Sequence, residues 1–177
     1  MLPLGTTAPD FNLYEPSTGK YKSLQQLKGD KATLIMFICN HCPFVIHLEK
    51  ALALLGTEYD KSEIGIIAIS ANDASIYQED GPQYIAKKAS ELELTFPYLY
   101  DESQSVARAY MATCTPDFFL FDKDLSCVYR GQFDDSRPGN NQPITGKDLR
   151  KAIDNVLAEQ IVNGKQYPSI GCNIKWK

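Results

Sequence analysis

The sequence has no apolar stretch near the roughly 20 residues that a membrane-crossing helix needs. Its longest, such as Leu34–Cys39 and Gly65–Ile69, are strand-length, so no membrane partner is expected. It has no run of Lys and Arg, and 18 basic against 22 acidic residues leave a net charge of -4. A surface for nucleic acid is therefore not expected. The opening, Met1–Phe11, has neither a basic region nor an apolar core. No secretory signal is read there, and the expected location is cytoplasmic. Histidine is scarce: only His41 and His47, close together. No repeat, low-complexity segment or linker divides the chain. Its 177 residues, 44% hydrophobic and 23% charged, suit a single domain over 1–177 with a sizeable core.

Cysteine, by contrast, is plentiful: Cys39, Cys42, Cys114, Cys127 and Cys172. In a reducing compartment five cysteines argue for catalysis or metal binding rather than a disulfide framework. The odd number leaves at least one thiol free within a monomer.

The hydrophobic pattern places these residues. Phe11–Tyr14 and Lys20–Lys22 flank Pro16-Ser17-Thr18-Gly19 and read as a hairpin. Ser23 caps a single turn ending at Gly29. Ala32–Ile38 and Ile64–Ser70 are continuous apolar runs, the pattern of strands buried on both faces. Between them Pro43 opens a helix, with Phe44, Leu48, Ala51, Leu52, Leu55 and Tyr59 at helical spacing as far as Glu58. Pro82–Glu91 reads as a helix, Phe96–Tyr100 as a strand and Ser103–Met111 as a short helix. Asp117–Phe121 and Cys127–Gly131 form a hairpin, and a proline-rich loop leads to a last helix over Lys147–Ile161. The tail, 163–177, has no clear period. The order predicts an α/β sandwich with a mixed central sheet flanked by helices.

One stretch carries the chemistry: Ile38-Cys39-Asn40-His41-Cys42-Pro43-Phe44-Val45. A zinc site needs four ligands, and this chain has one CxxC and two neighbouring histidines; Cys114 and Cys172 would have to complete it. A pair of simply buried thiols is a second reading. The third is a redox couple. The pair falls between a buried strand and a helix N-terminus, where free N–H groups and the dipole favour a thiolate. On that reading Cys39 has a depressed pKa and attacks, Cys42 resolves, and His41 supports the thiolate. Against this, His41 also reads as a solvated loop residue, and His47 as a surface one.

Strand, CxxC, helix, strand, then a proline opening a hairpin resembles the thioredoxin fold. Gly5-x-x-Ala8-Pro9-x-Phe11-x-Leu13, with Gly19 and Leu27-Lys28-Gly29, is similar to the opening of the peroxiredoxin-like AhpC/TSA branch. Cys39-Asn40-His41-Cys42-Pro43, Thr115–Asp122, Arg130–Gly139 and Ser169–Lys177 resemble a peroxiredoxin-like subgroup over essentially the whole chain. The resemblance implies a thioredoxin-like sheet with an N-terminal hairpin extension. It also implies a cis Thr115-Pro116 bond beside the CxxC, with the Thr115 backbone turned towards an incoming chain.

The same resemblance weighs against fast peroxide reduction. If Cys42 were the peroxidatic cysteine, Ile35 and Cys39 would replace the Pro and Thr/Ser of the peroxidase motif. The His before the second cysteine is similar to that of periplasmic disulfide oxidases and points to a more oxidising couple.

The expected function is thiol–disulfide exchange on a disulfide-containing protein or small thiol, recharged by a cellular reductant and needing no bound cofactor. The alternatives are a thiol peroxidase resolved by Cys114 or Cys172, and a non-catalytic metal-binding module. Cys114, two residues before Pro116, and Cys172, in a tail expected to pack back on the domain, are a candidate second redox pair or relay, or two buried thiols. Cys127 is read as core, and Arg137 as a solvated salt-bridge residue rather than a substrate ligand.

Overall fold

A computed structural model describes residues 1–177. Strands β1 (Asn12–Glu15), β2 (Lys20–Ser23), β3 (Ala32–Phe37), β4 (Ile64–Ser70), β5 (Tyr98–Tyr100), β7 (Asp117–Asp122) and β8 (Cys127–Gly131) form one sheet in the order β2-β1-β5-β4-β3-β7-β8. A short ribbon pairs β6 (Cys114–Thr115) with β9 (Cys172–Asn173). Helices α1 (Leu24–Leu27), α2 (Pro43–Glu58), α3 (Pro82–Glu91), α4 (Ser105–Ala109) and α5 (Lys147–Leu157) cover it.

The sheet is mixed: β3 runs parallel to β4 and antiparallel to β7. Flanked on both sides, every residue of β3 is buried, which is why its sequence is an unbroken apolar run. The two-residue period then divides its side chains between two cores. Leu34 and Met36 pack with Leu48, Leu52 and Leu55 of α2, Ile85 of α3 and Leu149 and Ile153 of α5. Ile35 and Phe37 pack on the other face with Leu24, Val106, Tyr110, Phe119 and Phe121. Burying each such side chain is worth about 1.5–3 kcal/mol.

The hairpin and the capped turn at Ser23 are as expected; Ser23 Oγ and the Gln26 side chain close a capping box. Three elements are shorter than the pattern suggested. Pro97 precedes β5, which starts at Tyr98. Left-handed Gln104 and Met111 bracket α4. Helix α5 stops at Leu157, and left-handed Glu159 turns the chain before Ile161. The unpatterned tail is ordered by tertiary contacts, and Ile174 enters the second core. No helix is long and apolar enough to cross a membrane.

Candidate functional site

Helix α2 positions the site. Pro43 occupies its first turn, where the missing N–H is not needed, and Cys42 is the N-cap. Cys39 lies just beyond β3, so the CxxC spans the step from the central strand to the helix N-terminus. Both thiols are enclosed: Cys39 is 2% exposed and Cys42 fully buried.

Thr115 joins the two sulfurs. Its hydroxyl lies 3.3 Å from Cys39 Sγ, and its carbonyl accepts from Cys42 Sγ at 3.2 Å. The next peptide bond, Thr115–Pro116, is cis, as the resemblance implied. The two buried thiols are neighbours and titrate as a pair. Interaction with Cys39 draws Cys42 well below the ordinary thiol range, against the effect of burial. The same interaction pushes Cys39 up, together with burial and the Asp80 carboxylate. The downward shift thus falls on Cys42, whereas the helix-terminus argument alone put the depressed pKa on Cys39. The neighbouring sulfur decides this and not the helix terminus: Cys42 is the N-cap, but its side chain makes no capping bond.

Asp80 is a site residue that sequence reasoning did not single out. It ends a 3₁₀ turn, Gln78–Asp80, and its buried carboxylate accepts from the Asn40 N–H at 2.7 Å and Asn72 Nδ2 at 2.8 Å. His41 Nδ1 lies 2.6 Å from the same carboxylate, and the ring stacks on Tyr77 at 4.6 Å. His41 is therefore a fixed, half-buried residue rather than a solvated one. A motif search has no purchase on Asp80, because its partners lie 39 and 40 residues away. His47 also departs from its expected surface position: it is half-buried, with Nε2 enclosed and without a protein partner.

Cys39, His41 and Asp80 offer atoms within 4.8 Å of one another, a conceivable metal cluster. Asp80 already accepts hydrogen bonds at both oxygens, and Cys42 stands outside the group. His41 is committed to Asp80 and Cys39 to Thr115, and with Cys42 outside the group these donors do not form a four-ligand zinc centre built on the CxxC.

The tail changes the reading of Thr115. β9 pairs antiparallel with β6, setting Cys172 opposite Thr115 and Asn173 opposite Cys114. The Thr115 backbone faces the chain's own tail, not an open groove for an incoming peptide. Gly171 makes this possible, since a Cβ there would collide with the Thr115 carbonyl. Directly opposed residues of a ribbon share a face. Cys172 therefore joins Thr115 on the CxxC face, where it packs against the core cluster that holds Cys39 and Cys42. Cys114 is on the other face, with Sγ donating to the Pro116 carbonyl at 3.7 Å. Burial pushes the Cys114 thiol up to about 12. The structure thus puts Cys172 with Cys42 and not with Cys114.

Cys127 is core, as expected. Arg137 forms no salt bridge, and it is half-buried rather than solvated. Its guanidinium is folded into its own loop, donating to the carbonyls of Asp134 at 2.7 Å and Ser136 at 2.6 Å.

The sheet order, the CxxC at the head of α2 and the cis-proline beside it define a thioredoxin-fold protein with a thiol site. The AhpC/TSA family model matches residues 4–130, and the chain belongs to that family. An uncharacterized conserved protein from Geobacillus kaustophilus is 54% identical, with 100% of this chain and 94% of that one aligned at a TM-score of 0.97. A hypothetical protein from Sinorhizobium meliloti is 46% identical over 100% and 96% of the two chains, also at 0.97. Peroxidoxin BcpB from Mycobacterium tuberculosis shares the fold at 19% identity, 89% and 96% coverage and a TM-score of 0.62. No curated protein matches the chain.

Proposed function

We propose that this chain is a thiol–disulfide oxidoreductase with Cys39–Cys42 as its redox couple, Cys39 attacking and Cys42 resolving. The observation that carries this is the sulfur pair clasped by one residue, with Thr115 Oγ1 on Cys39 and Thr115 O on Cys42. The pair holds one readily shared proton. As Cys39 attacks a disulfide RSSR′, its proton passes to Cys42, where the Thr115 carbonyl accepts the new S–H. Cys39 becomes a mixed disulfide with RS, and R′S⁻ leaves and takes that proton. The freed Cys42 thiolate then attacks the Cys39 sulfur, and RS⁻ departs and is protonated from solvent. The substrate gains two electrons, and the protein holds a Cys39–Cys42 disulfide.

His41 and Asp80 hold the Asn40-His41 loop, and the Asp80 carboxylate adds to the Cys42 interaction and burial that push the Cys39 thiol up. With the Thr115 edge occupied by β9, the favoured substrates are small disulfides or exposed protein disulfides rather than extended peptides. A cytoplasmic dithiol would recharge the couple.

The test is non-reducing peptide mapping across a graded glutathione buffer. Reversible Cys39–Cys42 pairing in the range of known thiol couples supports the reading, and its failure to form under any poise overturns it. Family membership favours a second reading, peroxide reduction. Ile35 and Cys39 stand where the peroxidase motif has Pro and Thr/Ser, so a direct peroxide-consumption rate separates the two.

A further inference from the structure

We propose that Cys172 is a third redox thiol, an exchange partner for Cys42 through which the external reductant reaches the enclosed couple. The inference rests on the Cys39–Cys42 reading and adds the route of its recharging.

Three observations converge. The first is placement: β9 puts Cys172 opposite Thr115, the residue that contacts both CxxC sulfurs, and Cys172 packs against the core cluster that holds Cys39 and Cys42. The second is access. Cys39 and Cys42 are nearly sealed, while Cys172 is partly exposed. The third is permanence, because the tail is tied on either side of Cys172. Before it, Gln132 N donates to the Tyr167 carbonyl at 2.9 Å and Ser169 Oγ to the Gly131 carbonyl at 2.7 Å. After it, Lys175 N donates to Asn72 Oδ1 at 2.9 Å, Gln104 Nε2 to the Lys175 carbonyl at 2.8 Å, and Lys177 N to Gln104 Oε1 at 2.9 Å. Asn72 and Gln104 are themselves buried. Polar groups committed to this purpose make Cys172 a resident of the site, not a passing tail residue.

The chemistry is an internal exchange followed by a reduction. The Cys172 thiol gives up its proton and attacks Cys42 Sγ of the Cys39–Cys42 disulfide. A Cys42–Cys172 bond forms, and Cys39 leaves as a thiolate and takes a proton; no electrons enter or leave. An external dithiol then attacks the exposed Cys172 sulfur and frees Cys42 as a thiolate. The dithiol's second sulfur resolves the mixed disulfide, so two electrons enter, both protein thiols are restored and the dithiol departs as its disulfide. Cys39 is free to attack again before the reductant has finished.

The test uses the full chain as wild type, Cys39→Ser, Cys172→Ser and Cys172→Ala, with alkylation quench and peptide mapping. Wild type in the same buffers reports on the Cys39–Cys42 couple by itself, so its failure is visible separately. In Cys39→Ser, a Cys42–Cys172 disulfide is expected with Cys114 and Cys127 fully alkylated. Cys172 remaining alkylated there, or pairing with Cys114, overturns the proposal. Oxidised Cys172→Ser is expected to be reduced by dithiothreitol roughly tenfold more slowly than wild type. Cys172→Ala reports the same step without a hydroxyl. Equal rates in the wild type and in folded variants overturn the role as entry point.

Discussion

Cys42 and Cys127 are both buried thiols of the same molecule, 0% and 1% exposed, yet their characters are opposite. Cys127 sits in β8 against an apolar core, with its Sγ donating to the Tyr129 carbonyl at 3.7 Å. Burial pushes that thiol up to about 11, and it is inert at neutral pH. Cys42 pays the same desolvation cost but interacts with Cys39, and falls well below the ordinary range. Neighbours, not depth, decide whether a buried cysteine is a reagent.

Removing each thiol sharpens the contrast most. Cys39→Ser or Cys42→Ser is expected to lower steady-state reduction of a small aromatic disulfide by more than about 100-fold. Cys127→Ala is expected to leave that rate within about twofold while costing stability in a denaturant titration.

The pH profile comes next. Alkylation at the Cys42 peptide, followed by mass spectrometry, is expected to be flat from about pH 6 to about pH 8 and to fall only in acid. Its folded pKa is depressed, so the thiolate is present above that value. Alkylation at Cys127 is expected to climb about tenfold per pH unit over the same window. Parallel slopes at the two sites would break the comparison.

Asp117 is a carboxyl in the same plight as Cys127. Burial pushes it up to about 6 from 3.8, against the hydrogen bond from the Thr113 N–H. A raised folded pKa favours the native state fully below the unfolded value and loses that contribution as pH rises through about 6. At pH 7 Asp117→Asn is therefore expected to stabilise by on the order of 2 kcal/mol and to flatten stability between about pH 4 and about pH 6. Urea titrations at several pH values read both.

The smallest effect is expected from Thr115→Val, which keeps the shape and removes the hydroxyl at Cys39. About 1 kcal/mol of interaction corresponds to roughly a fivefold slower exchange at that sulfur. An unchanged rate would remove Thr115 Oγ1 from the mechanism.

Local chemistry was enough to place the strands of the main sheet, though not the β6–β9 ribbon, and with them the capped turn at Ser23, the helix opened by Pro43 and the CxxC between strand and helix. Each depends on residues within a few positions of one another: an apolar run, a hydroxyl three residues before a glutamine, a proline at a first turn. The ends of α4 and α5 were misjudged, because apolar spacing continues past Met111 and Glu159 where the backbone turns left-handed. Arg137 was misjudged because its partners are neutral oxygens, two carbonyls of its own loop and the Gln132 side chain, which no charge pattern advertises.

The sequence by itself determined which atoms the site has: two cysteines one turn apart, and a Thr-Pro pair far along the chain. Only the tertiary structure decided how they are charged and what they touch. Asp80 reaches the Asn40-His41 loop, Cys172 faces Thr115 while Cys114 faces away, and Cys42 rather than Cys39 is the N-cap. Pairing register and burial are set by contacts between distant segments. A shift of one residue in β9 would have put the tail cysteine on the other face.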